Sequence, residues 1–235
     1  MQNHMPYYAY YPDNNIEISP AEGFLLKDKE QEAIRNYSKG IEYTDQFTRD
    51  FLNELDPLDK PVTVAFYGDH LPGIYQTASD DPDNSVALHE TDYFIWSNKA
   101  SGVDNAQAAQ TATNSAYTSP NFFTAQLAEH LNAKVSPYIA FLTALHAKVP
   151  AMEPKASFMV QGALDTPDGQ ALYLDNEGNY LDVSQADEQT QAAFGRLQAD
   201  SIRYYGWKEL LKKYWFYEDI RIIAVFSYLM SALGC

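Results

Sequence analysis

Apolar residues between Lys27 and Leu55 recur at intervals of three and four. Ala33, Tyr37, Ile41, Thr44, Phe47, Phe51 and Leu55 share one stripe, which predicts an amphipathic helix with its apolar face turned inward. Asp56-Pro57 ends it, because the residue before a proline avoids the helical region. The pattern then changes. Val62 to Tyr67 is β-prone with no polar alternation, as in a strand covered on both faces in a parallel sheet. Tyr93 to Trp96 predicts a second strand of this kind, ended by Ser97-Asn98, and the small polar run 101–118 predicts a surface loop or irregular insert. Ser119-Pro120 and Ser136-Pro137 read as helix starts. The first is followed by a stripe of Phe122, Phe123, Leu127 and Leu131, the second by Ile139, Leu142, Leu145 and Val149. Turn signals at 165–169 and 175–179 predict a small antiparallel hairpin within 157–183, and 185–205 reads as helix. Helix, buried strand, then polar residues at the strand's carboxyl end is the order of an α/β fold.

Composition narrows the function. The 235 residues carry 16 basic and 32 acidic side chains, a net charge of −16, which disfavours a nucleic acid partner or an anionic surface. One cysteine, Cys235, excludes an internal disulfide framework and a cysteine-based zinc cluster. The N-terminus has no signal-peptide pattern, and no run reaches the roughly 18–20 apolar residues of a membrane span. From Arg203 onward the balance reverses to five basic and three acidic residues, with Trp207, Tyr214, Trp215, Phe216 and Tyr217 crowded together. The expected organisation is 1–155, a hairpin and helix subregion at 156–202, and an atypical basic, aromatic tail at 203–235.

The strongest chemical signal is Gly68-Asp69-His70, at the carboxyl end of the first predicted strand. Ligand sites of open α/β sheets lie beyond such strand ends. A carboxylate beside an imidazole offers donors suited to manganese, zinc or magnesium, and Gly68 would let the backbone turn so that both reach one ion. Taken alone, the tripeptide more often marks a turn aspartate beside a structural histidine. His4, His89, His130 and His146 carry bland readings by themselves, the last two as surface or packing residues. The acidic runs 80–84 and 175–179 lack the EF-hand spacing and read as solvated loops. No phosphate-binding glycine loop, nucleophile elbow or zinc-protease helix is present.

Val62 to Tyr75, VTVAFYGDHLPGIY, resembles the strand and Gly-Asp-His motif of the alkaline phosphatase and sulfatase superfamily, nearest its lipoteichoic acid synthase-like phosphoglycerol transferases. Met1 to Tyr7, Tyr37 to Asp45, Glu90 to Asn98 and Ser119 to Leu145 resemble further segments in the same order, over roughly residues 1–200. Agreement across levels strengthens a weak tripeptide.

The resemblance implies an alkaline phosphatase-like α/β sheet flanked by helices, incomplete, with a small C-terminal antiparallel hairpin. It assigns Asp69 and His70 as metal ligands and His4 as a contact to the substrate's phosphate or sulfate. The implied cofactor is a divalent metal, manganese first, with magnesium, zinc or calcium as alternatives. In complete members a threonine nucleophile and an acidic ligand lie on the N-terminal half of the domain. No threonine of this sequence matches that role, so no catalytic nucleophile is assigned. The expectation is therefore the C-terminal part of a metal-dependent domain, inactive alone and prone to self-association. Such a domain transfers glycerol phosphate from a phospholipid to a cell-envelope polymer, on the extracellular face of the membrane. The implied partners are a phospholipid head group or an anionic glycan, and the missing half of the domain. A sulfatase or phosphodiesterase acting on sulfated or phosphorylated glycans, and a non-catalytic acidic binding module, are the competing readings.

Overall fold

Asp28–Leu55 forms a 28-residue helix, α1. The computed structural model describes residues 11–23, 25–111, 116–153 and 172–196. Their contacts divide the chain into two units, 1–102 and 103–235. The domain boundaries expected at 155/156 and 202/203, the 203–235 tail and His4 lie outside the described residues.

In the first unit, α1 is followed by strand β1 (Thr63–Tyr67), a short helix α2 (Gln76–Ser79) and strand β2 (Tyr93–Ser97). β1 and β2 pair antiparallel, with Thr63 opposite Ser97 and Tyr67 opposite Tyr93. This corrects the parallel arrangement inferred from the apolar runs. A parallel partner needs a crossover of about a dozen residues or more, usually an α-helix. Residues 68–92 supply only the four residues of α2 and two single 3₁₀ turns, and Gly68 N–H donates to Asp92 O at 3.2 Å as the chain returns. An unbroken apolar run reports burial on two faces and says nothing about the direction of its neighbour. Here the strands are half-buried, with Phe66 stacked on Phe94 at 5.0 Å.

The packed face of α1 also differs from the stripe. Its buried residues are Glu30, Asn36, Lys39 and Gly40, all in the first half. Ile41, Phe47 and Phe51 are exposed. The segment 11–18 straps onto that first half through polar bonds. Asn14 Nδ2 donates to Asn36 Oδ1 (3.1 Å), Gln31 Nε2 to Ile18 O (3.1 Å) and Tyr43 Oη to Asp13 (2.6 Å). Lys39 Nζ lies between Asp13 (3.5 Å) and Glu42 (3.1 Å), so its buried stem ends in paired charge.

Asn98, fully buried, closes the unit. Its Oδ1 accepts Val62 N–H at 2.9 Å, and its Nδ2 donates toward the carbonyls of Leu55, Leu58 and Lys60 at 3.2, 3.3 and 2.9 Å. One side chain thus joins the end of α1, the following loop and both strands.

The second unit holds α3 (Asn105–Thr111), α4 (Phe123–His130), α5 (Pro137–His146), strands β3 (Ala151–Glu153) and β4 (Leu172–Leu174), and a helix over 188–196. α3 corrects the expected loop. Asp104 Oδ1 caps it by accepting the N–H groups of Ala106 and Gln107, and its small polar residues carry no apolar period to read. The two serine starts fare differently. Ser136 Oγ accepts Ile139 N–H as an N-cap. Ser119 leads instead into a 3₁₀ turn, and its Oγ accepts Met152 N–H at 3.0 Å, tying that turn to β3. β3 and β4 pair antiparallel, so the small antiparallel element is present, with one strand earlier in sequence than expected. Gly178 sits at φ +83°, and a Cβ there would lie 2.5 Å from the Tyr117 ring, so both backbone and space require glycine.

The core of this unit gathers Phe122, Ala125, Leu142, Leu145, Val149 and Phe194. His146 belongs with it, 1% exposed and edge-on to Phe122 at 5.0 Å. Burial pushes its imidazole below the ordinary 6.5, partly opposed by a hydrogen bond with the Tyr117 backbone. The unfolded chain therefore binds the proton first as pH falls. The stability tied to neutral His146 is complete above about 6.5 and is lost as pH drops from there toward the folded value. We expect thermal melts between pH 7.5 and 5 to show a falling midpoint, and His146→Leu to flatten that slope. An identical slope in the variant would exclude His146 as its source.

Candidate metal centre

The Gly-Asp-His turn leaves β1 where the strand pair opens into the 68–92 connection. Gly68 does not take a left-handed conformation. Glycine is needed there for a different reason from the one expected. A Cβ on Gly68 would sit 2.9 Å from Thr91 Cβ, and Thr91 Oγ1 donates to Gly68 O at 2.8 Å. Thr91 thus presses against the turn from the opposite strand end. It went unnoticed in the sequence, because its partner lies 23 residues away.

Beyond Gly68, Asp69 and His70 stand out into solvent, with side chains 84% and 71% exposed. Asp69 Oδ1 accepts the backbone N–H of His70 at 3.0 Å. His70 Nδ1 lies 2.8 Å from Leu71 O. A carbonyl oxygen only accepts, so this bond assigns the proton to Nδ1 and leaves the lone pair of the neutral ring on Nε2. Histidine ligands are oriented in this way, one ring nitrogen held by a backbone or carboxylate acceptor and the other turned to the metal. Nε2 lies 4.0 Å from Asp69 Oδ1. Two ligands on one ion at about 2.1 Å, roughly 90–110° apart, would be ~3.0–3.4 Å from each other. A small rotation of the exposed Asp69 carboxylate covers the difference while Leu71 O keeps the ring in place.

The donor set therefore fits a divalent ion in kind, and supplies two ligands. Among the described residues, no group of three or more His, Cys, Asp or Glu gathers at one place. His89 Nδ1 contacts Ser85 O in its own turn, at 2.8 Å. The acidic runs also spend their carboxylates locally. Asp81 accepts Asp83 N–H, and Asp175 accepts the N–H groups of Asn179 and Glu177, which hold its carboxyl below the usual range.

The connection after the turn packs on α1. Pro72 and Ile74 are buried, and Glu30 accepts both Thr77 N–H (2.8 Å) and Thr77 Oγ1–H (2.6 Å). One face of α1, two turns long, carries Glu30 and Tyr37. Burial first, then the negative charge of Asp69, raises the Tyr37 phenol above its ordinary value. Burial, with Tyr37 next, does the same to Tyr75. Two tyrosines and a hydrogen-bonded glutamate thus lie on α1 and on the connection that follows the turn.

No helix among the described residues is long and apolar enough to cross a membrane.

The chain is 36% identical to the Streptococcus pyogenes phosphoglycerol transferase GacH, solved in complex with sn-glycerol-1-phosphate; the match covers 64% of this chain and 36% of that one, with a TM-score of 0.49. It is 27% identical over 113 residues to a Rhizobium meliloti (strain 1021) protein named for cyclic beta-1,2-glucan modification, covering 42% of this chain and 17% of that protein. The chain thus spans well under half the length of either relative. The sulfatase family model matches residues 1–133, more than half of the 235, and includes the whole Gly-Asp-His turn: the chain belongs to the sulfatase family.

Proposed function

We propose that this chain supplies the metal-holding strand end of a sulfatase-family domain that transfers glycerol phosphate from a phospholipid to a cell-envelope polymer outside the membrane. The observation that carries the reading is the His70 imidazole, locked by Leu71 O with Nε2 available beside the Asp69 carboxylate, in a turn that the family match includes. Asp69 and His70 would hold the ion, manganese in the first instance. A divalent ion so placed polarises a phosphoryl oxygen and eases deprotonation of an attacking hydroxyl. This chain's own residues do the holding and orienting. Leu71 O fixes the ring, Thr91 fixes the strand end, and His4 would contact the transferred phosphate. The remaining ligands and the hydroxyl nucleophile would come from a complementary part of the domain. The name of the Rhizobium relative supports a glycan acceptor or substrate as a second reading.

Calorimetric titration of the 235-residue chain tests this. Manganese is expected to bind at one site, and sn-glycerol-1-phosphate to give heat only when manganese is present. A sulfated oligosaccharide that binds more tightly than the glycerol phosphate would favour the glycan reading. Heat from neither manganese nor phosphoester would leave a non-catalytic acidic module.

A further inference from the structure

We propose that Glu30 is a positioning residue for the Gly-Asp-His turn, fixing the 69–77 loop on α1 through its two-pronged bond to Thr77. Glu30 lies in the first turn of α1 and is only 4% exposed. A buried carboxylate survives only with its oxygens satisfied. Two donors of Thr77 meet it, the N–H at 2.8 Å and the hydroxyl at 2.6 Å. Glu30 is the third helical residue, the position from which a capping-box carboxylate reaches back to the N-cap, here Lys27. Lys27 replaces the usual serine or threonine at that cap, and its side chain makes no capping bond. The glutamate's remaining acceptor capacity goes to a loop 47 residues away instead.

Among the described residues, Asp69 and His70 bond to their own neighbours, His70 N–H and Leu71 O. Rigidity must come from the two ends of the loop. At the near end stands Gly68, bonded to Asp92 and Thr91. At the far end Thr77 sits on Glu30, and between them Ile74 N–H closes on Pro72 O at 2.8 Å.

The inference uses the metal reading only for its last measurement. Glu30→Gln keeps the shape but turns an amide N–H toward a donor. Thr77→Val removes the hydroxyl and leaves both the backbone bond and the helix cap in place. Both variants are expected to speed amide exchange at Ile74, Thr77 and Ser79, Glu30→Gln by about tenfold, with α1 still protected. The ¹⁵N shifts of the His70 ring should move in both. Manganese affinity should fall by about tenfold in Glu30→Gln, and the two changes together should cost less than the sum of each. Unchanged exchange in both variants overturns the proposal. So does faster exchange with unmoved His70 shifts, which would make the bond a loop anchor only. If the unaltered chain takes up no manganese, the metal reading fails by itself, and exchange with the His70 shifts still decides the role of Glu30.

Discussion

Asn98→Asp is expected to destabilise the β1–β2 pair by about 4 kcal/mol, although it changes one amide for a carboxylate of nearly equal size. The amide nitrogen points at three carbonyls, those of Leu55, Leu58 and Lys60, and only a donor is tolerated there. The substitution places a fully buried negative oxygen against three partial negative charges. Protonating the new carboxyl restores a single donor, too few for three acceptors. Asn98→Leu fails for the complementary reason. It leaves Val62 N–H and the three carbonyls without their partner. Ser97→Ala is the control. It loses the bond between Ser97 Oγ and Thr63 Oγ1 at 2.7 Å, and should cost only about 1 kcal/mol. Hydrogen exchange across Val64 to Phe66, with urea unfolding, measures both. Strands as well protected in Asn98→Asp as in the unaltered protein would show that the hub is dispensable.

That hub was invisible in the sequence, and the reason is general to this chain. Features written locally were legible. α1 was readable from its repeat, the α4–α5 pair from their stripes, and the Ser136 cap from the proline beside it. Features made by residues far apart were not. Asn98 reads as the polar end of a strand, yet its partners lie 36 to 43 residues earlier. Glu30 reads as one of several acids on a helix, and Thr77 gives no hint of it. Periodicity identified a stripe on α1 without identifying what covers it: Phe47 belongs to that stripe and is 71% exposed. For the site, the sequence shows Asp69 and His70 side by side at the end of the strand, where the structure has them. It assigned Gly68 the wrong duty, because the crowding by Thr91 exists only once the strands pair antiparallel. The tautomer of His70 is likewise set by folded geometry, since it rests on a 2.8 Å contact to Leu71 O.

Asp69→Ala is expected to weaken manganese binding by more than about 100-fold without lowering stability measurably. Changes to groups that merely support a ligand already cost about 10–100-fold in affinity. Removing one of the two proposed donors should exceed that. The fold should not notice, because the side chain is largely exposed and its bond to His70 N–H closes a turn that water also satisfies. Asp69→Asn separates charge from shape. The amide oxygen still accepts His70 N–H, so the turn is kept while the anionic ligand is lost, and binding should fall nearly as far as in Asp69→Ala. His70→Ala should match them. Since Leu71 O orients the ring, a histidine moved to position 71 in the His70→Ala background should not rescue binding. Calorimetry with manganese and thermal melts on the same samples distinguish the outcomes. Full affinity in Asp69→Asn would mean that the carboxylate is a turn residue and nothing more. Lost affinity with a collapsed melting point would mean that the turn builds the fold rather than the site. Only lost affinity on an intact fold agrees with a carboxylate and an imidazole set out in solvent for a cation.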